Sequence, residues 1–167
     1  MFSNTIPLYL INGFLEGGKT SFIQDVLTNG DFADGQKTLL ILCEEGEVEY
    51  DQSELTNLNI LSLTVDEEKD FNGEYLRNCI RKYRPKRIFV EMNGMWDCKW
   101  IFDSALPREV EIAQVITIVD GSTFQVYVNN MKGILSNLFT YTEMVIFNRC
   151  TEDMPLHSFR RAVRGVN

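Results

Sequence analysis

Gly13-Phe-Leu-Glu-Gly-Gly18-Lys19-Thr20 fits the spacing G-x-x-x-x-G-K-S/T, and that spacing carries phosphate chemistry. Glycines let a backbone curl until successive N–H groups point inward at phosphate oxygens, and a helix starting there adds its partial positive charge. The cradle would run through Gly13, Glu16, Gly17, Gly18 and Ser21. Lys19 would reach the β- and γ-phosphates, and the Thr20 hydroxyl would bind Mg²⁺. The expected ligand is a nucleoside triphosphate.

Two acidic stretches suit that chemistry. Glu91-Met-Asn-Gly94 closes an apolar run; an acid there holds Mg²⁺ directly or through water, while Gly94 offers an N–H to the γ-phosphate. A carboxylate at such a strand end also serves as an ordinary loop or helix cap. Glu44, Glu45, Glu47 and Glu49 crowd into six residues. They read either as a solvated acidic loop or as a switch segment that senses the γ-phosphate or gathers a divalent metal through hard oxygens.

The elements that must position these residues are legible as apolar runs. Residues 6–12, 37–43, 59–64, 87–92, 113–120 and 144–148 read as buried strands. A helical spacing follows the glycine turn, with Phe22, Ile23, Val26 and Leu27 on one side and Gly30 as a stop. Residues 71–85 are amphipathic, with Tyr75, Leu76, Cys79, Ile80 and Tyr83 on one face and Pro85 ending them. Buried strands separated by helices predict an α/β fold with a mostly parallel central sheet and flanking helices. Ligands collect at the C-terminal ends of such strands. Residues 13–20, 44–51, 91–94, Asp120 and 148–153 all fall there.

Composition narrows the partners. The chain has 167 residues, about one domain. A net charge of −8 argues against nucleic acid or an anionic membrane as the main partner. No apolar run reaches the roughly 18 residues of a membrane span, and the start lacks a signal-peptide pattern, so a cytoplasmic location is expected. Cys43, Cys79, Cys98 and Cys150 are scattered and His157 is the single histidine. Neither a disulfide framework nor a local zinc knuckle fits, and buried free thiols are expected. Trp96 and Trp100 lie four apart, on one face if helical; they suit packing against the sheet or an exposed partner patch.

Five segments together resemble the CobW-type GTPases. "IPLYLINGFLEGGKTSFI" (6–23) is similar to their opening I-P-V-T-V-L-T-G-F-L-G-A-G-K-T-T-L, and "CEEGEVEYD" (43–51) to their switch N-E-F-G-E-V-G-I-D. "VEMNG" (90–94) resembles E-T-S-G, "VITIVD" (115–120) V-x-x-V-V-D, and "VIFNRCTED" (145–153) I-x-x-N-K-x-D. The resemblance implies a P-loop NTPase fold of the SIMIBI type. It implies Mg²⁺-dependent GTP binding and hydrolysis, linked to metal delivery or metalloenzyme maturation, with a metalloprotein or membrane-transport component as protein partner. Carried over by position, Lys19 and Thr20 hold phosphate and Mg²⁺. Glu44 and Glu47 match the switch acids, which bear on catalysis and metal, and Asp51 matches the switch aspartate. Glu91 is the Mg²⁺-side acid, and Asn148, followed by Arg149, is the base-reading asparagine.

Three departures accompany the resemblance. Residues 52–90 hold only Cys79 where the family carries C-x-C-C, so thiolate-grade zinc binding is not expected. Arg149 and Thr151 replace the lysine and aspartate of the base motif, which predicts a modest preference for GTP, with ATP accepted. The segment 1–167 is expected to be the nucleotide-binding domain of a longer family pattern, cut short at its C-terminal end. The alternative is a regulatory module that binds nucleotide, hydrolyses little and signals to a partner protein. A small-molecule kinase is disfavoured, because Arg77, Arg81, Arg84 and Arg87 lie in or just after the amphipathic stretch rather than in a lid.

Overall fold

In the computed structural model, which describes residues 5–44, 46, 48–97, 99–103 and 106–165, six strands form one parallel sheet. They are β1 (Ile6–Asn12), β2 (Thr38–Leu42), β3 (Ile60–Thr64), β4 (Arg87–Glu91), β5 (Val110–Asp120) and β6 (Met144–Asn148). Their spatial order is β3-β2-β4-β1-β5-β6. Each strand end is set against the next by register: Glu91 pairs with Ile11 on one side and Leu42 on the other, Asn12 with Thr117, and Asp120 with Asn148. The loops after β1, β2 and β4 therefore share one edge. The chain runs from β1 outward to β2 and β3, returns to β4, then crosses β1 to reach β5. That reversal opens a crevice at the C-terminal end of β1.

Strand alternation feeds two cores. Leu8, Leu10, Leu39, Ile41, Ile88 and Val90 face one side, where α3 (Gly73–Tyr83) packs Leu76 and Cys79 against them. Ile11, Leu40, Phe89, Ile116 and Ile118 face the other, covered by Ile23 and Leu27 of α1 (Lys19–Thr28) and Leu55 of α2 (Gln52–Asn57). Full burial of each such apolar side chain contributes about 1.5–3 kcal/mol. Asn72 caps α3 by accepting from the N–H groups of Glu74 and Tyr75, and Arg84, at φ 50°, ends it ahead of Pro85.

Beyond β5, α5 (Gly121–Asn130), α6 (Lys132–Phe139) and α7 (Leu156–Arg164) build a third cluster around Phe124, Leu135, Leu138, Phe139 and Phe159. The short α4 (Lys99–Phe102) leaves Trp96 outside any helix. Both tryptophans nonetheless pack on the first core, Trp100 edge-on to Phe71 with ring centroids 5.2 Å apart. Cys43 and Cys79 are buried free thiols as expected; Cys150 is exposed, which corrects that reading for one residue. Cys98 lies outside the described residues.

β5 starts three residues before the run at 113–120, because Glu111 interrupts the hydrophobic pattern between Val110 and Ile112. A register shift there passes from Leu8↔Ile112 to Tyr9↔Gln114, skipping Ala113.

Candidate functional site

The glycine turn between β1 and α1 adopts backbone that side chains resist. Gly13 has φ 146° and Gly18 φ 101°, and Glu16 between them sits at φ 59°. A Cβ on Gly13 would lie 2.3 Å from the Ile118 carbonyl oxygen, and one on Gly18 would lie 2.2 Å from Asn148 Nδ2. Both positions require glycine. Gly94 is held the same way: its Cα faces the Gly13 carbonyl so closely that a Cβ would come within 2.2 Å of that oxygen.

Lys19 opens α1 and is 2% exposed. Its ammonium donates to the carbonyls of Gly13 (2.9 Å) and Phe14 (2.8 Å) and pairs with Glu44 Oε2 at 2.5 Å. The acidic loop after β2 thus reaches the lysine of the glycine turn directly. Thr20 Oγ1 donates to Glu91 Oε1 at 2.7 Å, and the Tyr50 hydroxyl donates to Glu91 Oε2 at 2.6 Å. Burial pushes the Glu91 carboxyl above the usual glutamate range; those two hydroxyls and nearby Lys19 pull the other way. Burial, with Glu91 alongside, likewise raises the Tyr50 phenol and the Cys43 thiol.

Leu15, Glu16, Gly18, Lys19, Thr20, Ser21, Glu44, Glu91 and Arg149 all border a single cleft above these contacts. The cleft gathers most of the site residues read from sequence. Gly13, Gly17 and Gly94 stand behind it as backbone support. Asn148 braces the turn from the side, donating from Nδ2 to the Gly17 carbonyl at 3.2 Å. Arg149 crosses to Asp120, with Nη1 at 2.5 Å from Oδ2. Burial works against ionisation of Asp120, but Ser122 and Arg149 outweigh it and hold its carboxyl below the usual range. Thr151 donates to Asp153 Oδ1 at 2.5 Å.

Asp51 has another occupation. Its carboxylate caps α2, accepting from the N–H groups of Ser53 and Glu54 and from the Ser53 hydroxyl at 2.6 Å, and it lies outside the cleft lining. Glu47 lies outside the described residues. Sequence reasoning missed Tyr50; the available signal was a polar-tipped aromatic where the family pattern writes isoleucine. Among the described residues no three His, Cys, Asp or Glu side chains gather as a metal site. Nor is any helix among them long and apolar enough to cross a membrane.

A family model described as CobW/HypB/UreG, nucleotide-binding domain, matches residues 7–158. The chain belongs to this family. As a CobW/HypB/UreG nucleotide-binding domain it resembles, among curated proteins, the zinc chaperone CobW of Sinorhizobium sp, at 30% identity. That match covers 70% of this chain and 37% of the relative, so the chain spans well under half of that protein's length. Among solved structures it superposes on Zn(II)-bound YjiA GTPase from E. coli with a TM-score of 0.68 at 20% identity, covering 95% of this chain and 54% of that one. The hydrogenase maturation factor HypB from Archaeoglobus fulgidus gives 0.65 at 10% identity, covering 99% and 78%. These likenesses bear out the expected fold, an all-parallel sheet with flanking helices of the P-loop GTPase kind.

Proposed function

We propose that this CobW-family domain binds GTP with Mg²⁺, hydrolyses it, and uses the cycle to drive metal delivery or metalloenzyme maturation. The observation that carries the reading is the convergence of Lys19, Thr20, Glu44 and Glu91 on one cleft beside the glycine turn. The donor set suits Mg²⁺: Thr20 Oγ1 and Glu91 Oε1 are hard oxygens 2.7 Å apart at the cleft. Bound there, the ion would neutralise charge on the β- and γ-phosphates.

The chain's own residues supply the rest. N–H groups of the glycine turn hold the phosphate oxygens in place, and Lys19, which keeps two backbone carbonyls as acceptors, offsets charge that develops as water attacks the γ-phosphate. Glu44 changes partner when phosphate reaches Lys19, so the loop after β2 responds to occupancy of the cleft. Phosphate release from Mg²⁺-GTP by the purified protein tests the reading; a protein that binds GTP without turnover sinks the hydrolytic half.

Such an outcome would favour the second reading, a nucleotide-binding regulatory module that signals to a partner protein. The base loop supports it: Thr151 has a single hydroxyl, already spent on Asp153, where the family pattern places a base-reading carboxylate. A link to metal rests on the family and on the zinc-chaperone relative. With only Cys79 between residues 52 and 90, metal handling here would depend on oxygen donors or on a partner's ligands rather than on a thiolate cluster.

A further inference from the structure

We propose that Tyr50 is a positioning residue for the divalent-cation side of this cleft, an inference that rests on the GTP-and-Mg²⁺ reading above. Its ring is fixed by packing: Tyr50 is 8% exposed and belongs to the core cluster with Ile11, Ile23, Leu40, Leu55 and Phe89. From that anchored ring the hydroxyl reaches Glu91 Oε2 at 2.6 Å. A carboxylate with one oxygen fixed in this way cannot turn, and its other oxygen, Oε1, is left facing the Thr20 hydroxyl. Tyr50 therefore decides which oxygen of Glu91 is offered to a cation and in which direction.

The same contact limits the acidic loop. At its near end the Cys43 N–H donates to the Glu91 carbonyl at 2.9 Å. At its far end Tyr50 holds the Glu91 side chain, and Asp51 is locked onto α2. Glu91 thus holds Cys43 by its backbone carbonyl and Tyr50 by its side chain. The isoleucine of the family pattern has no hydroxyl for this task, so the clamp belongs to this chain's own sequence.

The test is nucleotide affinity measured by calorimetry with GDP, in EDTA and across a Mg²⁺ series, for the wild type and for Tyr50→Phe. Losing one charge-assisted hydrogen bond to the cation-side carboxylate should raise the Mg²⁺ concentration at half-effect about tenfold. Affinity in EDTA should stay within about twofold, because the phosphate contacts of Lys19 and the glycine turn are untouched. Tyr50→Ile should behave like Tyr50→Phe, and in a Glu91→Gln background Tyr50→Phe should add no further shift. An unchanged Mg²⁺ dependence in both variants overturns the positioning role and leaves the proposed function standing. Equal losses with and without Mg²⁺, or failure of both variants to fold, would make the hydroxyl a structural prop and overturn it as well. A wild type that binds no nucleotide removes the proposed function and this inference together.

Discussion

Glu44→Gln should tighten nucleotide binding while loosening the free protein, by one and the same free energy. Glu44 and Lys19 form an ion pair at 2.5 Å with side-chain exposures of 10% and 2%, so little solvent screens it. Any phosphate that reaches Lys19 must displace that carboxylate. A glutamine amide keeps a neutral oxygen acceptor near Lys19, and the lysine retains its two carbonyl partners, so the loss is partial. We take it as about 1.5 kcal/mol, the low end for hydrogen bonds to charged groups. If the nucleotide-bound state no longer uses the pair, GDP affinity in EDTA rises about tenfold. The midpoint of thermal unfolding without nucleotide should fall by about 3–6 °C for a chain of this size. Saturating GDP should close that gap, since the contact is already broken in the complex. Calorimetry and thermal melts, both in EDTA to keep any cation role of Glu44 out of the measurement, decide it. Unchanged or weaker GDP binding would refute the competition, whatever the melting temperature does.

Lys19→Ala should weaken nucleotide binding about 100-fold or more, because the turn loses its single side-chain cation; wild-type affinity in calorimetry would reduce the turn to scaffolding. Thr151→Asp should raise the GTP-over-ATP preference about tenfold by restoring a carboxylate for the guanine N1–H and amine, and an unchanged ratio in competition binding would show that another residue reads the base. Arg87→Ala should cost about 2–3 kcal/mol in denaturant melts, since Arg87 bonds Thr38, Asp34 and the Phe32 carbonyl from a buried strand position while Asp34 keeps some solvent. The Arg87 hydrogen bond holds the Asp34 carboxyl below its usual range. Its contribution is therefore complete above pH about 4 and lost as pH falls through the lower folded value. The variant should lose that acid-sensitive part of the stability curve, and parallel pH profiles would count against the pairing.

The strands at the middle of the sheet were readable because they are apolar on both faces, and the glycine turn because its residue types admit few other uses. β5 is legible only from residue 113, since Glu111 breaks the apolar pattern just before a register shift absorbs an extra residue. α5 and α6 went unread, for their buried residues Phe124, Leu135, Leu138 and Phe139 pack on one another and on α7, a contact no local pattern announces. Within the cleft, Lys19, Thr20 and Glu91 followed from motif and position. The Lys19–Glu44 pair and the Tyr50–Glu91 bond join residues 25 and 41 apart in sequence, and only the strand order makes them neighbours. Asp51 shows the reverse: a family position that the local turn engages as a helix cap.

The strand order also sets a timetable for synthesis. β1 has β4 and β5 as its only sheet neighbours, and both lie beyond residue 86. Chains emerge from the ribosome N-terminus first, at about 5–20 residues per second. For several seconds the strand that carries the glycine turn is out of the tunnel with no partner on either side, while β2 and β3 have each other and the place of β4 between β2 and β1 is unfilled. Arrival of Arg87–Glu91 fills the gap and, in the same step, delivers Glu91 to Thr20 and Tyr50. The cation side of the cleft and the central sheet are thus completed together, and a nascent chain halted before β4 lacks both Glu91 and the strand that joins β1 to β2.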